Sequence, residues 1–231
     1  MTYFVDVTLI PLAEKPVRDG EDYYSHKGRY GIAAMIVCDG QKRVRYVLAG
    51  PPGCWHDARV FANSALARRT QRYFSTDEYL LADSAYTPSP TIVPAFKKPP
   101  GASGLSEMQM RFNRCLSNAR VRVEHCIGIL KARFQSLREL RIRVCNADDV
   151  QFCTEWLRCC CVLHNMLLSD EVDDEWLYED SMDTQDNAAS TRQSGSDGQD
   201  QPSYDRNRGK QKREELLRVV LGHTHDTTYI S

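Results

Sequence analysis

Tyr3-Phe4-Val5-Asp6-Val7-Thr8-Leu9-Ile10 is an apolar run with one carboxylate inside it. Its branched and aromatic residues favour extended backbone, and Pro11 ends the run, so residues 3–12 read as a buried strand. A carboxylate within such a strand is costly unless it is paired or bound to a cation. Asp6 therefore asks what stands near it, and the rest of the chain supplies candidates. Gly31–Cys38 reads as a second strand, and Asp39-Gly40 supplies hairpin-turn chemistry. Val44–Ala49 alternates as a half-covered third strand and is stopped by Pro51-Pro52-Gly53. A helix is expected from Asp57, with Val60, Phe61, Ala65 and Leu66 at helical spacing and a carboxylate suited to the helix N-terminus. Glu78–Ala82 is the fourth strand and runs into Asp83, a second carboxylate at the end of an apolar run.

Pro88, Pro90 and Pro94 make the following stretch irregular, and Lys97–Gly104 reads as a loop. Residues 106–137 carry Phe112, Leu116, Ala119, Val123, Ile127, Leu130, Phe134 and Leu137 at a 3–4 spacing, which predicts helix, with Ser117-Asn118 as a potential break. Leu140–Val144 reads as a short fifth strand. Asn146 starts a final helix through Trp156, Leu157, His164 and Met166. Strands with a hairpin, a helix, another strand and then helices predict an α/β domain, a mixed sheet flanked by helices. If the first and fourth strands are parallel neighbours, Asp6 and Asp83 meet.

The third acid is Glu124, on the long helix at the edge of its apolar stripe. Arg120 lies four residues before it, so an Arg120–Glu124 ion pair is the simple structural explanation. Residues 111–143 hold nine Lys and Arg against Glu124 and Glu139. So dense a positive stretch around one acid suits a phosphate backbone. Three carboxylates in this setting read as an oxygen-rich cage for two divalent cations, Mg²⁺ or Mn²⁺, that performs phosphoryl-transfer chemistry on nucleic acid with no side-chain nucleophile.

Charge is unevenly spread along the 231 residues. The net charge is -1, yet residues 1–168 hold 23 of the 30 basic and 16 of the 31 acidic side chains. A basic body followed by an acidic tail fits a polyanion binder. Three segments are expected: a domain over 1–168, an acidic disordered linker over 169–205, and a basic tail over 206–231 that forms a short isolated helix or a nucleic-acid patch. No apolar run of about 18 residues occurs, so no membrane span is expected. The nine cysteines form no C-x-x-C pair, which argues for reduced core residues rather than a disulfide framework or zinc ribbon. Cys159, Cys160, Cys161 and His164 crowd one helix and read as packing. His56-Asp57 could be an acid–base or metal pair, but a loop cap and a helix start explain it more simply. Trp55 could stack on a base or pack its loop.

Several blocks occur in order: Val5–Pro16, Tyr24–Gly28, Pro52–Phe61 with Ser64, Tyr79–Tyr86 with Pro88, Phe112-Asn113 with Ser117, Arg120–Phe134 and Cys160–Asn165. On these the chain resembles the DDE nuclease domain of the PIF/Harbinger transposase superfamily, close to its fungal members. The resemblance implies an RNase H-like fold and a transposase-type endonuclease that cuts and joins DNA with two Mg²⁺ or Mn²⁺ ions. It assigns Asp6, Asp83 and Glu124 as catalytic metal ligands. DNA contacts are expected from Lys27, Arg111, Arg114, Arg120, Arg122, Lys131 and Arg133. It further implies transposon-end DNA, a Myb/SANT-like partner protein, self-association and a nuclear location. Two departures mark this chain. The family's Asp-Gly-Thr is here Asp6-Val7-Thr8, and the family's helical segment before the first Asp is not seen. The rival expectation is therefore a truncated or domesticated relic that binds DNA or a partner without cutting.

Overall fold

The computed structural model describes residues 1–99, 101–169 and 203–222. Five strands form one sheet in the order β3-β2-β1-β4-β5: β1 Thr2–Pro11, β2 Gly31–Cys38, β3 Val44–Pro52, β4 Tyr79–Ala82 and β5 Ile92–Pro94. β1 to β3 are an antiparallel meander, while β4 and β5 run parallel to β1. Helices α1 Asp57–Ala62, α2 Ala65–Arg68, α3 Thr70–Tyr73, α4 Glu107–Arg133, α5 Ala147–Met166 and α6 Ser203–Gly222 complete the described chain. This mixed sheet with helices is the α/β architecture expected, and it matches an RNase H-like fold.

The pleat of β1 explains the layering. Phe4, Ile10 and Leu12 face a core shared with Val123, Ile127 and Leu130 of α4 and with Leu157 of α5. Val5 faces the other way, into a core with Val60, Phe61, Leu66 and Tyr86. Alternate residues of one strand thus feed two hydrophobic layers. β2 lies between two neighbours and is buried along its whole length, so all eight of its residues are small or apolar.

α4 begins with a capping box, in which Ser106 and Gln109 satisfy each other's backbone N–H groups. It runs unbroken through Ser117 and Asn118, because both residues are exposed on its outer face and cost the helix only their weak propensity. The helix expected from Asp57 is instead three short ones. Ser64 interrupts it by capping α2, its side chain accepting from the Ala67 N–H at 3.1 Å. Two strand expectations also change. Residues 92–94 form β5 despite a proline, since an edge strand tolerates Pro94. Leu140–Val144 is no strand; Leu140 makes a single parallel bridge to Leu12.

The basic tail forms α6, and it is not isolated. Leu217 is buried with Phe96, Phe112 and Leu116. The Arg213 guanidinium lies 3.9 Å from the Phe96 ring centre, and Lys212 lies 4.9 Å from that of Tyr79. Gly209 is required here, because a Cβ would meet the Ser89 backbone nitrogen at 2.4 Å. The stretch read as an acidic disordered linker falls almost wholly outside the described residues, as does the tail beyond 222. No described helix is long and apolar enough to cross a membrane.

The β2–β3 hairpin is held by α5. Asp39 Oδ1 accepts from the Gln41 and Arg43 N–H groups at 2.9 and 3.0 Å. The left-handed residue in this turn is Lys42, with φ 63°, rather than Gly40. Its strained backbone is tied down, since His164 Nε2 donates to the Lys42 carbonyl at 3.0 Å. Asn165 then acts as an extra strand residue: its Oδ1 accepts from Val44 N–H and its Nδ2 donates to Val44 O, both at 2.8 Å. His164 is fully buried and Cys160 and Cys161 lie in the same core, so these residues serve packing. Asn165→Ala is expected to lower stability by about 1–3 kcal/mol in urea unfolding, because it orphans both polar groups of Val44.

Candidate active site

Strand register decides where the acids meet. β1 and β4 pair as parallel neighbours with Phe4 opposite Leu81, and their pairing stops there. Two residues further on, Asp6 continues along β1 while β4 has ended at Ala82 and Asp83 begins a turn. The opening beside β1, at the C-terminal end of β4, therefore carries both carboxylates. Such openings at strand ends are where α/β sheets place functional groups. Asp83 Oδ1 accepts from the Ala85 N–H at 2.8 Å, which fixes the turn and orients the carboxylate.

Asp6 lies on the same side of β1 as Phe4, toward α4. Arg120 Nη2 donates to Asp6 Oδ1 at 3.1 Å, with the two side chains 14% and 23% exposed. Arg120 is thus spent on Asp6 rather than on Glu124, the pairing its position in the helix suggested. Its Nε is buried and has no hydrogen-bond partner among the described residues. Glu124 lies one turn further along α4, exposed, and its charge reaches Asp6.

The electrostatics follow from this crowding. Burial pushes the Asp6 carboxyl up to about 6; Arg120 opposes the rise, and the charges of Asp83 and Glu124 add to it. A fourth acid belongs to the group. Burial pushes Asp57 up to about 7, with Asp6 and Asp83 adding to the rise and Arg120 opposing it. Asp57 is the first residue of α1, and its helix-start role holds, since His56 precedes it as a cap residue without a capping side-chain bond. Tyr86 follows Asp83 by three residues. Its hydroxyl is held well above its ordinary value by burial and by Asp57, Asp6 and Asp83.

Sequence reasoning weighed His56-Asp57 as an acid–base or metal pair but preferred a loop cap and helix start, and it gave Tyr86 no place in this group. The available signal was the helical spacing that puts Asp57 on the same side of α1 as Val60 and Phe61, which face the core. Of the expected DNA contacts, Lys27, Arg111, Arg114 and Arg122 are exposed, while Arg120, Lys131 and Arg133 are partly buried. Trp55 carries the Arg59 guanidinium 4.2 Å from its ring centre. Val7, the departure from the family's glycine, faces the layer opposite Asp6 and packs near Met35 and Val60.

A family model described as DDE superfamily endonuclease matches residues 5–165. The chain belongs to this family. Its relatives include the protein named "Putative nuclease HARBI1" in three vertebrates. The mouse protein is 25% identical over 158 residues, 68% of this chain and 43% of the relative. The human protein is 23% identical over the same shares. The Xenopus laevis protein is 22% identical over 169 residues, 73% of this chain and 46% of the relative. The chain spans less than half the length of these relatives. No solved structure matches it.

DDE endonucleases as a superfamily generally use divalent metals, and the donor chemistry here fits one. The group is all carboxylate oxygen, which suits a hard cation such as Mg²⁺ or Mn²⁺. Burial and neighbouring carboxylates raise both Asp6 and Asp57, so an added positive charge is favoured there. Among the described residues, no three His, Cys, Asp or Glu side chains already converge as a ligand set, and Arg120 supplies the positive charge at Asp6.

This crowding has a pH signature. Between about pH 4 and 7 the folded chain retains protons on Asp6 and Asp57 that the unfolded chain has released. Stability therefore falls as pH rises through that window. In EDTA, Asp57→Asn is expected to match the parent at pH 4 and exceed it by on the order of 1 kcal/mol at pH 8, after allowing for solvent screening. Thermal melts at the two pH values read the difference.

Proposed function

We propose that this chain is a metal-dependent DNA endonuclease of the transposase type, with Asp6, Asp83 and Glu124 as its metal-binding carboxylates. The observation that supports this reading is the parallel β1–β4 pairing, which ends at Phe4 and Leu81, two residues before Asp6 and Asp83, with Arg120 of α4, one turn before Glu124, bonded to Asp6. Two Mg²⁺ or Mn²⁺ ions, when bound, supply an activated water or 3′-hydroxyl and stabilise the leaving oxygen of the phosphodiester.

The chain's own residues do the rest. Asp6, fixed by Arg120, presents its oxygens from β1, and Asp83 presents its own from the turn directly after β4, where the Ala85 N–H holds it. Arg120 offsets part of the burial that disfavours the charge of Asp6. Its unpartnered Nε is suited to a phosphate oxygen at the site. Arg111, Arg114 and Arg122, exposed along α4, track the DNA backbone. The nuclear location, a Myb/SANT-like partner and self-association belong to this same reading.

The alternative of a relic that binds without cutting drew on Val7 and on the expected truncation. The side chain of Val7 packs in the layer opposite Asp6, so it does not crowd the carboxylate. The cutting enzyme is therefore the reading the site favours. Asp83→Asn and Glu124→Gln are each expected to reduce Mn²⁺-dependent cleavage of the element's terminal repeats at least a hundredfold with unchanged DNA affinity. Parental activity in both would refute the assignment. Arg111→Ala with Arg114→Ala is expected to weaken binding uniformly across sequences and to reduce the slope of log affinity against log salt by about two.

A further inference from the structure

Three arginines crowd the corner between α2 and α3. Arg68 ends α2, Arg69 joins it to α3 and Arg72 lies within α3, and all three are exposed. With Thr70 and Gln71 they line a cleft of about 530 Å³, and its remaining lining residue is Asp205, from the first turn of α6. Three guanidinium charges thus share the cleft with one carboxylate from the far end of the chain. That carboxylate does not pair with them. Among the described residues none of the three arginines forms an ion pair, and Arg68 donates instead to Asn63 Oδ1 at 2.8 Å.

Like charges gathered without acids repel one another, and the grouping suits a phosphate, whose oxygens can accept two N–H groups from one arginine. The cleft is as large as pockets that hold drug-sized ligands, which is more than one inorganic ion needs. No aromatic ring lines it, so bases find nothing to stack on, and its chemistry points to the backbone of a strand.

α6 supplies the second observation. Gly209, one turn after Asp205, packs so closely on the backbone of Pro88 and Ser89 that a Cβ would meet the Ser89 nitrogen at 2.4 Å. These residues belong to the loop that begins at Asp83. Further along, Leu217 is buried with Phe112 and Leu116, and Arg213 lies over Phe96. Asp205 is therefore held among the arginines by a docked helix, and the same helix ties the cleft to the loop that leaves the carboxylate opening.

We propose that the Arg68–Arg72 corner is a second contact for the DNA backbone, and that Asp205 of α6 weakens this contact by placing a negative charge among the same arginines. The inference rests on the endonuclease reading for its ligand. It adds a surface that α4 does not supply, since Leu66 of α2 packs in the layer opposite the one that holds Val123 and Leu130 of α4.

The test is binding of a labelled random-sequence DNA duplex to the full chain, read by fluorescence anisotropy in EDTA over a range of salt. Arg68 is kept, because it holds Asn63. Arg69→Ala with Arg72→Ala is expected to leave the melting temperature unchanged and to weaken binding about three- to thirtyfold, the sum of two exposed charge contacts. The slope of log affinity against log salt is expected to fall by about two. Asp205→Asn is expected to tighten binding about two- to fivefold, and to gain nothing once Arg69 and Arg72 are replaced. Parental affinity and slope in the double arginine variant would overturn the contact. No gain in Asp205→Asn, or an equal gain with and without the arginines, would overturn the role of the acid. Arg111→Ala with Arg114→Ala separates this inference from the reading beneath it. If that pair weakens binding and the Arg69 and Arg72 pair does not, only the cleft fails. If both pairs bind as the parent does, the DNA-binding reading itself fails.

Discussion

Asp6 and Arg120 constrain each other, and the rest of the site is arranged around that pair. Asp6 is a carboxylate in the middle of the central strand of a two-layered fold, where burial opposes its charge. Arg120 comes down from α4 to bond it at 3.1 Å. The bond ties β1 to α4 and sets which turn of the helix lies above the opening, and with it the position of Glu124. Removing either partner would leave the other charge partly buried and unpaired, the costly case for such pairs.

From this pair the geometry extends in two directions. Along the sheet, the parallel register brings Asp83 level with Asp6 just where β4 gives out. Across the sheet, the same early end of β4 admits Asp57 and Tyr86 from the α1 layer. A short fourth strand is therefore a functional feature: had β4 continued two residues further beside β1, the opening that these groups share would be closed by backbone pairing. The anchored β2–β3 hairpin and the capped α4 hold the surrounding frame, so Asp6 and Glu124 are presented by regular elements and Asp83 by the turn that ends β4.

Much of this was readable in the chain. The carboxylates at Asp6 and Asp83 stood out because each interrupts or ends an apolar run, and the long helix announced itself by its 3–4 spacing. β5 was hidden because three residues with a proline carry no period, and the single helix from Asp57 broke at Ser64 because its capping side chain competes locally with helix continuation. Arg120 was assigned by helix spacing to Glu124, but a long guanidinium reaches across layers, and spacing within one helix does not see a partner on β1. Asp57 read as a helix start, which it is. Its second neighbourhood depends on where β4 stops, a tertiary fact. Gly209 looked like part of a helix-prone tail, and only the approach of α6 to the Ser89 backbone shows why a side chain is absent there.

The account's central claim is that the carboxylates at the β1–β4 opening form one cation site. Anomalous diffraction from crystals soaked in Mn²⁺ tests it most directly. The account predicts a peak within ligand distance of Asp6 and Asp83, with Glu124 beside it. Mn²⁺ bound only elsewhere on the chain, with Arg120 still bonded to Asp6 and no peak at the opening, would contradict it.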